Sequence, residues 1–235
     1  MQNNDTIVAI ATPSGAGGIG IIRVSGSQAA QIAGQIFRAK RKKINWESHR
    51  LYHGDIVSRA SGKVLDEVLI SLMRRPQSFT GEDVLEINCH GNPLIMQTIF
   101  QELIALGCRP AAPGEFSRRA FLNGRIDLAQ AEALAAMIAA KSEKACAASL
   151  QQLKGALGRE IDYLRVLLVD ALAFIEAGID FTDDIVAPEI PDIPPQLEIA
   201  AGRLQSLLLT YPAAKYYTDG INAVITGKPN AGKSS

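Results

Sequence analysis

The sequence predicts three successive architectures: an α+β domain, an all-α region, and the start of an α/β fold. Three observations predict them. Short β-rich runs alternate with turn residues from Thr6 to about Arg119, and a leucine-rich stripe with helical spacing runs from Leu150 to Ile175. A last apolar run, Ile221 to Thr226, then leads straight into a glycine-rich loop.

Composition sets the outer limits. The 235 residues carry 24 Lys+Arg against 24 Asp+Glu, a net charge of zero, with 47% apolar residues. That suffices for one large or two ordinary domains and excludes a wholly disordered chain. The neutral balance argues against nucleic-acid binding by bulk attraction to phosphate, although a local patch could still serve. No apolar run approaches the ~20 residues of a membrane span, and MQNNDTIVAIATP lacks the basic-then-apolar layout of a secretory signal. Cys89, Cys108 and Cys146 lie far apart without a C-x-x-C pair, so neither a disulfide framework nor a zinc knuckle is expected. The expectation is a soluble, reduced, cytoplasmic protein with no membrane contact.

In chain order, Ile7–Ile10 and Ile19–Val24 read as strands separated by the loop Pro13–Gly18. Ser27–Phe37 has helical spacing, with Ala30, Ala33, Ile36 and Phe37 on one face. Leu51–Ser58 and Val64–Met73 flank the hairpin-like turn Ala60-Ser61-Gly62-Lys63. Val84–Cys89 alternates, with Glu86 sharing a face with Val84 and Asn88, opposite Leu85, Ile87 and Cys89. Pro93–Leu106 reads as a helix ended by Gly107. Beyond Gly124, Asp127 and Gln130 form a capping box, and the stripe Leu150, Leu153, Leu157, Ile161, Leu164, Leu168, Leu172, Ile175 predicts a bundle seam, with Gly155 and Gly158 as a possible break or close crossing. Pro188, Pro191, Pro194 and Pro195 are expected to exclude helix, and a last amphipathic segment covers about 196–209. Helices with one apolar face each need partners, so further bundle helices are expected beyond those in the chain.

Gly227–Ser234 matches G-x-x-x-x-G-K-[ST]. The glycines let the backbone wrap a phosphate, Lys233 reaches the β/γ-phosphates, and Ser234 ligates Mg²⁺. The preceding strand is the required context, but no helix follows, and neither D-x-x-G nor N-K-x-D occurs. The expectation is a fragment, or the ordered part, of a longer nucleotide-binding protein.

Asp5–Pro13, Gly17–Gly26, Ser78–Glu86 and Pro113–Gly124, with Asp127–Glu132 and the loop GKPNAGKSS, together resemble the MnmE (TrmE) family of tRNA-modification GTPases. The resemblance covers essentially the whole chain in order. It implies an N-terminal folate-binding and dimerisation domain over 1–119, similar to aminomethyltransferase-like one-carbon enzymes, and an incomplete helical domain over 120–218. The first strand and P-loop of a Ras-like G domain, inserted between the helices, would then occupy 219–235. It further implies a homodimer working with the FAD-containing partner MnmG. Together they would add an aminomethyl or carboxymethylaminomethyl group to C5 of the wobble uridine of certain tRNAs. The one-carbon unit would come from 5-formyl- or 5,10-methylene-tetrahydrofolate, with potassium-stimulated hydrolysis of GTP to GDP.

Carried over by position, the family's folate contacts fall on Arg23, Glu86 and Arg125. A pterin edge offers adjacent N–H donors to a carboxylate, and a glutamyl tail suits a guanidinium. The competing reading is that Arg23 and Glu86 merely pair with each other on the surface. Arg125 stands where lysine is more usual in the family, which keeps the charge but changes reach. The GTP contacts fall on Asn230, Ala231, Gly232, Lys233, Ser234 and Ser235, with Asn230 also a potassium ligand and Ser234 the magnesium ligand.

Other features take plainer readings. The basic run Arg38–Lys43 is a solvated loop or a phosphate contact, and His90 a strand-end hydrogen-bonder. Cys89 is buried and inert, and Trp46 alone makes no base-stacking platform. Two rival functions remain open: an autonomous folate-dependent one-carbon transferase, and a non-enzymatic dimerisation scaffold.

Overall fold

The computed structural model describes residues 5–40, 44–180, 193–219, 224, 226–228 and 232, and its contacts divide the chain into two units, Met1–Ile126 and Asp127–Ser235. In the first unit the order is β1 (Ile7–Ile10), β2 (Ile19–Ser25), α1 (Ala29–Ile36), β3 (Phe37–Ala39), β4 (Leu51–Val57), β5 (Val64–Met73) and β6 (Val84–His90). α2 (Pro93–Ala105), β7 (Arg109–Pro110) and α3 (Glu115–Leu122) follow. The strands form one seven-stranded mixed sheet, β3-β4-β5-β6-β2-β1-β7, antiparallel throughout except where β7 runs parallel to β1.

Alternation along the strands sorts the two faces. Ile22 and Val24 of β2, Ile70 and Leu72 of β5, and Leu85 and Ile87 of β6 are buried in one core with Ile32 and Ile36 of α1 and Met96, Ile99 and Leu103 of α2. Each such side chain contributes roughly 1.5–3 kcal/mol of burial. α2 starts at Asn92, whose Oδ1 accepts the Leu94 N–H at 2.8 Å, with Pro93 at the first position, where its missing N–H costs no hydrogen bond. The opposite face, away from α1 and α2, carries Arg23, Leu69, Ser71, Glu86 and Asn88, none of them buried.

Phe37 departs from its expected place. It ends the helical spacing of α1 but opens β3 and pairs with Ile56. Its ring fills the space over Gly54, where a Cβ would stand 2.6 Å from Phe37 Cζ and would also strike the Arg38 carbonyl. Trp46 packs against the same ring at 5.8 Å between centroids and against Tyr52 at 5.2 Å, so it serves the core edge.

The second unit is helical: α4 (Leu128–Ala139), α5 (Glu143–Leu153), α6 (Ala156–Asp180) and α7 (Ile193–Asp219). The capping box forms at α4: Gln130 N–H donates to Asp127 Oδ1 at 2.7 Å, and Asp127 N–H donates to Gln130 Oε1 at 2.9 Å. The leucine stripe is split at Gly155, φ +77°, which ends α5. Gly158 is a close crossing, because a Cβ there would lie 2.8 Å from Asp127 Oδ2. Pro194 and Pro195 do not exclude helix. They sit in the first turn of α7, where backbone N–H groups have no intrahelical acceptor, and α7 runs on past Leu209 and through Pro212 to Asp219. Leu164, Ala171 and Ala200 are buried, whereas Ile161, Val166, Leu168 and Leu172 remain exposed among the described residues. The proposed strand 221–226, apart from Val224 and Thr226, lies outside the described residues, as do Pro188 and Pro191.

Candidate functional site

Antiparallel pairing sets Arg23 of β2 directly opposite Glu86 of β6, and Glu86 opposite Ser71 of β5. Arg23 donates to Glu86 Oε2 from Nη2 at 2.8 Å and from Nε at 3.2 Å. The side chains are 34% and 22% exposed, so water reaches both. Glu86 Oε1 and Arg23 Nη1 make no hydrogen bond among the described residues, which leaves one acceptor and one charged donor on the sheet face opposite α1 and α2.

The end of that face is closed by the loop from Ser78 to Asp83. Ser25, two residues beyond Arg23 on the same side of β2, is fully buried there. Its Oγ lies 2.7 Å from Thr80 Oγ1 and 2.7 Å from Glu82 Oε2. Glu82 accepts from Arg119 Nη1 at 3.1 and 3.2 Å. Arg119, 4% exposed, also donates from Nη2 to Asp5 Oδ1 at 2.7 Å and to Glu115 Oε1 at 3.2 Å. Arg109 joins through Asp5 Oδ2 and both Glu115 oxygens. Hydrogen bonds from Arg109 hold the Glu115 carboxyl down at about 2, against burial that would raise it, helped by the Ala112 N–H and Arg119. Burial would likewise raise the Asp5 carboxyl, but Arg109 and Arg119 together keep it below its ordinary value. The result is a network of three carboxylates and two guanidinium groups, buried at Arg119 and Glu115 and open to solvent at Arg109 and Asp5, that ties β2, the 78–83 loop and α3 together.

Arg125 makes no hydrogen bond or ion pair with Arg23 or Glu86 among the described residues. Its Nε donates to Ser78 O at 3.0 Å, so it is anchored to the loop that also holds Ser25. Of the three residues read as one site, Arg23 and Glu86 are in direct contact, while Arg125 is bonded to the loop that holds Ser25. Sequence reasoning gave no role to Ser25, Thr80, Glu82, Arg119 or Asn123. All five fall inside the Gly17–Gly26, Ser78–Glu86 and Pro113–Gly124 segments that carry the family resemblance.

Of the predicted GTP contacts, Gly232 is described, at φ +74°, a conformation that glycine adopts without strain. Asn230, Ala231, Lys233, Ser234 and Ser235 lie outside the described residues, as do Arg41, Lys42 and Lys43. Lys40 is paired with Asp55 at 2.8 Å. His90 Nδ1 lies 2.7 Å from Asp66 Oδ1, at the strand end as expected. Burial pushes the Cys89 thiol up to about 11. Among the described residues no helix is long and apolar enough to cross a membrane, and no three His, Cys, Asp or Glu side chains are grouped to hold a metal ion.

Comparison with known proteins fits both units. Residues 6–125 match the family model described as the GTP-binding protein TrmE N-terminus, and residues 128–233 match the MnmE helical domain. The chain belongs to the MnmE (TrmE) family. It is 48% identical over 231 residues to the tRNA modification GTPase MnmE of Syntrophus aciditrophicus, covering 98% of this chain and 50% of that protein. The Geobacter metallireducens and Alkaliphilus oremlandii proteins of the same name are 46% and 45% identical, each over 100% of this chain and 52% of their own length. The chain thus spans about half the length of the curated MnmE relatives it matches.

Proposed function

We propose that this chain forms the N-terminal and helical parts of a tRNA-modification GTPase, with a tetrahydrofolate site on the face of the N-terminal sheet opposite α1 and α2. What carries the reading is the match of nearly the whole chain, at 48% identity, to a protein named tRNA modification GTPase MnmE. In this reading the fold of the first unit is the folate-binding, aminomethyltransferase-like one, and the chain's last residues open a G domain. Lys233, Ser234 and Ser235 meet the phosphates of GTP or GDP, with Asn230 on potassium and Ser234 on magnesium. The whole protein works in the cytoplasm as a homodimer with an FAD-containing MnmG partner. It adds an aminomethyl or carboxymethylaminomethyl group at C5 of the wobble uridine of tRNA.

The residues of the first unit suit a folate. Among the described residues Glu86 keeps Oε1 free to accept from the N–H edge of a pterin, and Arg125 keeps both terminal nitrogens free for a glutamyl carboxylate. When bound, 5-formyl- or 5,10-methylene-tetrahydrofolate supplies the one-carbon unit. The chain's part is to orient the donor.

Titration of the full chain with 5-formyltetrahydrofolate by calorimetry, beside Arg23→Ala and Glu86→Ala, tests the reading. The expected result is saturable binding by the wild type and loss in both variants. A folded wild type that binds no folate would overturn the folate site and favour a dimerisation scaffold.

A further inference from the structure

The turn Asn123-Gly124-Arg125 is seated on the loop from Ser78 to Glu82 by two hydrogen bonds to carbonyls two residues apart. Asn123 Nδ2 donates to Thr80 O at 2.7 Å, and Arg125 Nε donates to Ser78 O at 3.0 Å. The loop residue next to Thr80 is Gly81, at φ +75°, and a Cβ there would stand 3.1 Å from both Arg125 Cγ and Asn123 Cβ. The missing side chain is what lets the turn lie against the loop. Both halves of this clip are rooted in the same residue. α3 ends with the Asn123 N–H on Arg119 O and the Arg125 N–H on Ala120 O, while the Arg119 guanidinium holds Glu82 and, through it, Ser25 and Thr80.

A guanidinium whose Nε is committed to a fixed carbonyl loses its freedom to swing. Its planar fork then presents Nη1 and Nη2 in one direction, the geometry that receives a carboxylate with two parallel hydrogen bonds. Neither nitrogen has a partner among the described residues. We infer that Asn123 is a positioning residue: by clamping the loop at Thr80 it aims the Arg125 fork at a carboxylate of the bound tetrahydrofolate. This rests on the folate reading above and adds to it the residue that orients the contact.

The test is a double-mutant cycle on the full chain, read by calorimetric titration with 5-formyltetrahydrofolate. Asn123→Ala is expected to weaken binding about fivefold and Arg125→Ala about tenfold. The double variant should bind within about twofold of Arg125→Ala alone, because the clamp acts only through that fork. A generally loosened fold would instead add its loss to that of Arg125→Ala. If Asn123→Ala does not fold, the near-isosteric Asn123→Asp removes the same donor and is expected to give the same non-additive loss. Wild-type affinity in the folded single variant, or losses that multiply in the double, would overturn the clamp and leave the folate site standing. No saturation by the wild type would overturn the site and the clamp with it.

Discussion

Glu115 grips Arg109 with both oxygens, Oε1 standing 2.6 Å from Nη2 and Oε2 3.1 Å from Nη1. Because the folded carboxyl is held at about 2, below its ordinary 4.5, its ionised form stabilises the fold. That contribution is complete above pH 4.5 and is lost as the pH falls toward 2, and it amounts to at most about 3 kcal/mol. Glu115→Gln should therefore be less stable than the wild type at pH 7, with the gap narrowing at pH 3. Urea midpoints at the two pH values read this directly, and an unchanged gap would contradict it.

Gly54 faces the Phe37 ring across β3 and β4 with no room for a side chain. A methyl group there would have to displace the ring or the Arg38 carbonyl, and both belong to a paired strand. Overpacking of this kind costs roughly 1–3 kcal/mol. Gly54→Ala is expected to lower the urea midpoint by that much, whereas Gly34→Ala, with open space around it, should not lower it. Equal midpoints for the two variants would show that the ring moves freely.

The three free thiols differ in access. Cys89 and Cys108 are buried and burial pushes each up to about 11, while Cys146 is exposed on α5. Since the thiolate is the reactive form, Ellman's reagent at neutral pH should titrate one thiol in the native chain and three in urea. Fast reaction of a second native thiol would mean that the core around α2 opens.

What the sequence made legible follows from local signals. The alternation Val84–Cys89 and the turn at Gly62 marked β4, β5 and β6, and Asp127 with Gln130 marked the start of α4. β3 escaped because Phe37 continues the apolar spacing of α1, so only its pairing with Ile56 shows it to be a strand. α3 escaped because two of its buried residues are charged, Glu115 and Arg119, and hydrophobic periodicity cannot register a buried ion pair. The site followed the same pattern. Arg23 and Glu86 were visible through motif and strand parity, but the loop that anchors Arg125 depends on contacts between residues 25, 80, 82 and 119, which no local spacing encodes.

The last prediction separates binding from folding at that pair. Arg23 and Glu86 are each more than a fifth exposed, and exposed ion pairs contribute about 0–1 kcal/mol. The core beneath them is built from Ile22, Val24, Leu85 and Ile87, which the substitutions leave untouched. Arg23→Ala and Glu86→Ala should therefore move the urea midpoint by no more than about 1 kcal/mol in equivalent stability. If either variant instead loses several kcal/mol, the pair is a structural bridge of the sheet, and weaker folate binding by that variant would report unfolding rather than a lost contact.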